Sequence, residues 1–118
     1  MLSINTHFNP FRLRLSDKKP VELCVEIINR GDKTMMLTME MALARQLSFD
    51  KSGIVRSKVQ RIDKFLPGQK KVDYFNIYPK ALAKRGEQGV LLRVMEHYGD
   101  WDFVERSHVK KLGLKVEE

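Results

Sequence analysis

The chain has 118 residues, of which 42% are hydrophobic and 31% charged, and its formal net charge at pH 7 is +7. This length predicts one domain, 1–118, with enough apolar residues to bury a core, and the composition excludes an intrinsically disordered chain. The single Cys24 excludes an intramolecular disulfide and a zinc site built on paired cysteines.

The sequence contains no run of apolar residues approaching the about 18 that a membrane span needs. Its first residues lack the basic segment and long apolar run of a signal peptide. We therefore expect a cytoplasmic protein without a membrane span.

Alternation with a period of two predicts strands in the first third of the chain. Residues 8–15 alternate apolar and basic side chains, and Asn9-Pro10 indicates an edge strand or a late start because proline cannot donate to a ladder. The clearest strand is Val21–Asn29, in which Val21, Leu23, Val25 and Ile27 are apolar and share one face. A turn over residues 29–33 follows, with Gly31 free to take a positive φ.

Residues 34–47 fit two interpretations. Apolar residues alternate from Met35 to Leu43, as in a strand, yet residues 39–47 are good helix formers. We favour a strand as far as Leu43, because the alternation holds at five positions and directly follows a turn. A helix beginning after Glu40 is the alternative.

The middle of the chain is organised around a turn at Pro67-Gly68. Proline presets φ and glycine accepts a positive φ, so residues 64–69 predict a corner between two strands. The run before it, 54–62, is basic and predicts an edge strand, whereas the run after it, 72–78, is β-branched and aromatic. Residues 80–85 predict one short helical turn that ends at Gly86.

The last third predicts a hairpin. Residues 89–98 and 101–109 form its strands, and Gly99-Asp100 forms the connection. A final alternating run covers residues 112–116, and the change of apolar parity at Lys110-Lys111 predicts a bulge there. The sum is an all-β fold: an antiparallel immunoglobulin-like β-sandwich of seven or eight strands, with at most one short helix.

Several of these pieces resemble the immunoglobulin-like modules of the CARDB kind. The resemblance is carried by Val25-Glu-Ile-Ile-Asn-Arg-Gly31, by Ser52-Gly-Ile-Val55, by the Ile62–Gln69 corner, by Phe75-Asn-Ile-Tyr-Pro79 and by Gly86 and Gly89 before Leu92 and Val94. It spans residues 10–116 and implies adhesion or protein interaction without catalytic residues. This chain differs from such modules in being basic and in its helix-prone residues 39–47. We also expect it to be solitary, whereas such modules are usually joined to others.

No motif for catalysis or cofactor binding occurs. The sequence lacks a nucleophile elbow, a phosphate-binding glycine loop and a His-Glu-x-x-His pair, and its three histidines lack metal-ligand spacing. We therefore predict no enzyme activity, no cofactor, no metal and no small-molecule substrate. Asp100 and Asp102, which flank Trp101, permit a hydrolytic or sugar-binding hypothesis, although turn chemistry explains the same residues more simply.

The positive charge is concentrated in residues 51–85, here called the basic window. It holds ten basic and two acidic side chains, hence +8, whereas the remainder holds 12 basic and 13 acidic ones, hence −1. Lysines and arginines interleaved with tyrosines predict contacts to a phosphate backbone. The candidate anion or nucleic-acid contacts are Arg56, Lys58, Arg61, Lys70, Lys71, Tyr74, Lys80, Lys84 and Arg85. The alternative is a solvated, protected edge in a lysine-rich protein of thermophilic character.

Two functions follow from these observations. The favoured one is a non-enzymatic protein-interaction or assembly module, with a protein partner or self-association through an exposed edge strand. The alternative is nucleic-acid or polyanion binding through the basic window.

Overall fold

Alternating runs of apolar and polar residues form the strands of this fold, because alternation places one face of each strand in a shared core. The computed structural model describes all 118 residues. Its strands are β1 (Leu2–Asn9), β2 (Arg12–Arg14), β3 (Val21–Asn29), β4 (Met35–Leu43), β5 (Leu47–Ser48), β6 (Ser57–Phe65), β7 (Lys70–Pro79), β8 (Gly86–His97) and β9 (Val104–Glu117). The only helical element is a 3₁₀ turn at Leu15–Asp17, and no helix has the length and apolar character needed to cross a membrane.

The strands form two sheets. The four-stranded sheet has the order β1-β3-β7-β5, and the five-stranded sheet has the order β2-β9-β8-β4-β6. Side chains from both sheets build one core of 20 buried apolar residues, among them Leu23, Ile27, Met39, Phe65 and Leu92. The all-β prediction is confirmed, but there are nine strands where seven or eight were predicted, and β2 pairs with β9 in parallel.

The start of the chain serves both sheets. The predicted strand at residues 8–15 is wrong: β1 ends at Asn9, the cis Asn9–Pro10 bond follows, and β2 continues in the other sheet. β1 went unpredicted because Thr6 interrupts the apolar alternation of its inward positions. Residues 2–14 therefore join the edges of the two sheets on one side of the molecule.

The ambiguous segment is a strand as far as Leu43, as favoured from the sequence. β4 pairs with β6 on one side and with β8 on the other, and this pairing overrides the helix propensity of its methionines. Residues 80–85 form a turn rather than the predicted helical turn, with the Ala83 N–H donating to the Lys80 carbonyl at 3.0 Å.

The Pro67-Gly68 corner carries the chain from β6 in one sheet to β7 in the other. It is fixed by Asn29, a fully buried residue at the end of β3. The Asn29 side-chain amide donates to the carbonyls of Lys33 at 2.8 Å and Phe65 at 2.9 Å. Gly68 N–H donates to the Asn29 carbonyl at 2.7 Å. The two turns predicted independently are thus held together by one side chain.

β8 and β9 form one long hairpin. Their register runs without interruption from Gly86 opposite Val116 to Glu96 opposite Arg106, and the irregularity lies between Glu96 and His97. The bulge predicted at residues 110–111 is therefore wrong. Apolar residues change from odd to even positions along β9 for another reason. Val109 points outward and is 54% exposed, whereas polar residues occupy the inward positions just before Leu112.

Candidate interaction face

The outer face of the five-stranded sheet carries exposed aliphatic side chains in register. Val59 of β6 lies opposite Glu40 of β4, Glu40 lies opposite Arg93 of β8, and Arg93 lies opposite Val109 of β9. These residues face outward because their chain neighbours on β4 and β8 are buried in the core. Val59 is 61% exposed and Val109 is 54% exposed, so the row has an aliphatic residue at each end and opposite charges at its centre.

Neighbouring rows extend this surface. Ala42 lies opposite Leu91 in one adjacent row, and Arg61, Thr38 and Met95 share the other. A shallow depression of about 330 Å³ is lined in part by Glu40, Ala42, Val59, Leu91 and Arg93. We call the following residues the interaction face: Glu40, Ala42, Val59, Arg61, Leu91, Arg93, Met95, Trp101 and Val109.

Trp101 folds from the β8–β9 connection onto one end of this face. Its ring packs edge-on against His97 with centroids 5.1 Å apart, and the guanidinium of Arg61 lies 4.9 Å from the Trp101 ring centroid. His97 is 8% exposed, and its Nε2 is 2.7 Å from the Thr38 hydroxyl. The tryptophan thus covers a polar pair on what is otherwise the solvent side of the sheet.

The acidic residues beside Trp101 stabilise the turn. The Asp100 carboxylate accepts hydrogen bonds from the backbone N–H groups of Asp102 at 2.9 Å and Phe103 at 3.0 Å. Both aspartates are exposed, and Trp101 packs against His97 and Arg61. The turn chemistry expected from Gly99-Asp100 accounts for this arrangement.

The three histidines have different environments and do not contact one another. His97 binds Thr38, whereas His108 lies on the inner side of β9 with its Nε2 2.5 Å from Glu96. His7 is exposed on β1. No group of three or more histidine, cysteine, aspartate or glutamate residues is arranged to hold a metal ion.

The candidate contacts of the basic window are distributed over several surfaces. Arg61 lies on the outer face of the five-stranded sheet, while Lys70 and Tyr74 lie on the outer face of the four-stranded sheet, on the other side of the core. Lys70 is paired with Glu26 at 3.2 Å, and Lys71 with Asp73 at 2.9 Å. The remaining candidates lie at a sheet edge or in connecting segments: Arg56, Lys58, Lys80, Lys84 and Arg85.

The window as a whole is therefore not one patch. The structure instead brings Lys51 and Lys80 into one cleft with Lys18 and Lys19, two residues that sequence reasoning left out. In the sequence, Lys18 and Lys19 are a lysine pair beside a turn, and this pattern does not indicate that they lie close to residues 51 and 80.

On each side of the sandwich, a lysine side chain spans the gap between the edges of the two sheets, here called a seam. On one side, Lys110 of β9 donates through its Nζ to the Ile4 carbonyl of β1 at 2.6 Å. On the other, the Lys58 Nζ of β6 lies 5.4 Å from the Phe49 ring centroid and 5.7 Å from that of Phe75. Inward-pointing charges of this kind hinder the addition of a further strand to an edge.

No protein-family model and no curated protein matches the chain. Among solved structures, it is similar to self-complemented MyfA, the major subunit of Myf fimbriae from Yersinia enterocolitica, with 16% identity and a TM-score of 0.55 over 98% of this chain and 99% of that one. It is also similar to AvmM, described as catalysing macrocyclization in alchivemycin A biosynthesis, with 10% identity and a TM-score of 0.57 over 99% and 89%. At these identities the similarity shows an all-β fold alone.

Proposed function

We propose that the chain is a non-enzymatic assembly module in which two copies associate through the interaction face. The observation that carries the proposal is the in-register row Val59, Glu40, Arg93, Val109, with both valines more than half exposed. Exposed apolar surface grouped on one sheet face and bordered by polar residues is typical of protein–protein contact sites.

A second copy of the chain fits this face because its charges are self-complementary. Glu40 and Arg93 lie opposite each other in the sheet, yet they form no ion pair within the chain. A twofold axis that lies in the interface, perpendicular to the row and through its centre, places Glu40 of each copy against Arg93 of the other. A symmetric interface requires this kind of self-complementarity.

The margin of the face has the residue types that contribute most at interfaces. Trp101 and Arg61, stacked at 4.9 Å, present a large ring and a cation in a fixed arrangement. Tryptophan and arginine are enriched among residues that dominate binding energy. Their mutual stacking reduces the side-chain entropy lost on association.

Association through a face fits this molecule better than strand addition at an edge. Lys110 and Lys58 occupy the two seams, so an incoming strand would have to displace a hydrogen bond or a cation–π contact. The outer face of the five-stranded sheet has no such obstacle.

The fold comparison supports an assembly role. MyfA is described as a major fimbrial subunit, which is a protein that assembles. We further propose that the fold is immunoglobulin-like and of the CARDB kind, because a four-stranded and a five-stranded sheet enclose one core in the manner of variable-type immunoglobulin domains.

The alternative, nucleic-acid binding through the basic window, has less support. Arg61 lies on one outer face while Lys70 and Tyr74 lie on the other, so these side chains cannot follow one phosphate backbone.

Charge reversal tests the assembly proposal. We expect Glu40→Arg alone and Arg93→Glu alone to be monomeric, because each places like charges across the interface. An equal mixture of the two variants should dimerise, since every contact between unlike copies then joins opposite charges. Sedimentation velocity over a concentration series measures this.

The mixture of the two variants distinguishes a loss of association from a loss of folding, because it restores charge pairing only between different molecules. Tyr74→Ser, an exposed aromatic on the other outer face, is the matched control and should dimerise as the wild type does. A wild-type chain that stays monomeric at its highest soluble concentration, or a mixture that stays monomeric, overturns the proposal.

A further inference from the structure

A basic cleft opens between three connecting segments of the fold. It has a volume of about 710 Å³, and its lining includes Lys18 and Lys19 after the 3₁₀ turn, Lys51 after β5, and Lys80 after β7. The rest of the lining is apolar apart from Tyr78, and no acidic residue contributes to it. A cleft of this size is in the range of small-molecule sites.

The four lysines are free of ion pairs. None of them belongs to a salt bridge in the structure. Of the two acids next to them in sequence, Asp17 does not line the cleft but an adjoining depression, which shares Lys19 and Pro20 with it. The carboxylate of Asp50 instead accepts hydrogen bonds from Ser48, Ser52 and the backbone of residues 54 and 55. Four unneutralised cations in one cleft repel one another and attract anions.

Local structure holds two of these lysines in place. Lys18 adopts a left-handed backbone conformation with φ of 53°, which is uncommon for a residue other than glycine. The Lys80 stem lies against Gly53, with Cγ 3.6 Å from where a Cβ would be, and the Lys80 N–H donates to the Gln46 carbonyl at 2.9 Å. The cleft is therefore formed by fixed backbone rather than by the reach of flexible side chains alone.

We propose that the basic cleft binds an organic polyphosphate of nucleotide size. Lysine ammonium groups are effective phosphate ligands, and four of them match the charge of a triphosphate. The apolar lining, which includes Pro20, Pro79 and Ala81, accommodates the uncharged part of such a ligand. This site shares no residue with the interaction face, so it adds a ligand to the proposed assembly module.

Three probes separate the contributions of charge and ring. We expect ATP to bind and raise the melting temperature, tripolyphosphate to do so less, and adenosine to have no effect. Calorimetry at two salt concentrations should show weaker ATP binding at the higher one, because salt screens the lysines.

Variants locate the site. Lys51→Gln and Lys80→Gln should each weaken ATP binding about tenfold, the loss expected for one charge-assisted contact. Lys64→Gln, an equal charge change at an exposed position on β6, should leave the affinity unchanged. In the absence of anions, the two cleft variants should melt at a higher temperature than the wild type, because they relieve repulsion.

Three results would overturn the proposal. These are no binding of ATP or tripolyphosphate at low salt, equal weakening by Lys64→Gln, or binding of single-stranded oligonucleotides that ATP does not compete away. The Glu40→Arg variant should bind ATP as the wild type does, so a failure of the assembly proposal is distinguishable from a failure of this one.

Discussion

At the scale of single residues, the side chain of Asn29 joins two turns of the fold. It is fully buried, donates to two carbonyls and accepts the Gly31 N–H at 2.9 Å. We expect Asn29→Ala to lower the free energy of unfolding by about 2–4 kcal/mol, because it leaves buried polar groups unpaired and opens a small cavity. Urea unfolding measures the change.

Asn76→Ala is the control for this prediction, since Asn76 is exposed on β7. Its effect should stay within about 0.5 kcal/mol. Equal destabilisation by the two substitutions would show that the Asn29 hydrogen bonds do not hold the corner.

Turn chemistry made part of this residue-level picture predictable. Pro67-Gly68 marked its turn correctly, with Gly68 at a φ of 79°, because the backbone demands of a turn are local. The chain also bends at residues 31–33, but Gly31 does not take the positive φ expected of it. The contact between Asn29 and the Phe65 carbonyl joins residues 36 positions apart. No local rule predicts such a partner, so the role of Asn29 became visible only in the structure.

At the scale of strands, the seam between β1 and β9 depends on Lys110. Its Nζ caps the Ile4 carbonyl at 2.6 Å and places a charge between two strand edges. We expect Lys110→Leu to make this seam apolar and to promote edge-to-edge aggregation, seen as light scattering at a lower onset temperature than in the wild type.

Lys84→Leu provides the comparison, because Lys84 is exposed in the connection between β7 and β8 and belongs neither to this seam nor to the interaction face. It removes the same charge and adds the same apolar group without altering the seam. Aggregation of both variants to the same extent would assign the effect to net charge and hydrophobicity instead of to the edge.

Sequence periodicity was sufficient for β3, β4 and β7 but not for the two ends of the chain. Alternation identifies a strand wherever one of its faces is buried, and β4 is strand despite its helix-forming residues. It cannot show which strands pair. The crossing from β1 to β2 and the parallel pairing of β2 with β9 therefore had no counterpart in the sequence pattern.

At the scale of the whole molecule, acid should destabilise the fold. Hydrogen bonds from Ser48 and Ser52 hold the pKa of Asp50 well below its ordinary value of 3.8. The Lys70 hydrogen bond lowers the pKa of Glu26 from 4.5. Burial raises the pKa of Glu117, but Arg12 and Lys115 together more than offset this, so that the pKa lies below its ordinary value of 4.5.

Each of these carboxyl groups binds a proton more readily in the unfolded chain than in the folded one. Their stabilisation is complete above the ordinary values of 4.5 and 3.8 and is lost as the pH falls through the lowered folded values. Melting temperatures followed by circular dichroism should be constant from about pH 7 to 5 and then fall. In Asp50→Asn the fall should be shallower, and a wild-type melting temperature that rises on acidification would contradict the prediction.

The candidate sites could not be located from the sequence pattern either. Counting charges along the chain located the excess of positive charge in residues 51–85. Which surface each side chain reaches depends on the sheet its strand belongs to and on which face of that strand it occupies. The interaction face and the basic cleft combine residues from distant strands and turns. Only the arrangement of the two sheets brings them together.

The way in which β1 and β2 serve both sheets also determines the order in which the fold can be completed. Arg12 and Glu117 are joined by a hydrogen bond although they stand 105 positions apart, and β2 has no partner other than β9. During synthesis, residues 12–14 leave the ribosome long before residues 115–117, so β2 must wait unpaired. We therefore expect the docking of β9 to be the slow, long-range step of folding, and a nascent chain that lacks this strand leaves the backbone N–H and C=O groups along one edge of β8 unpaired.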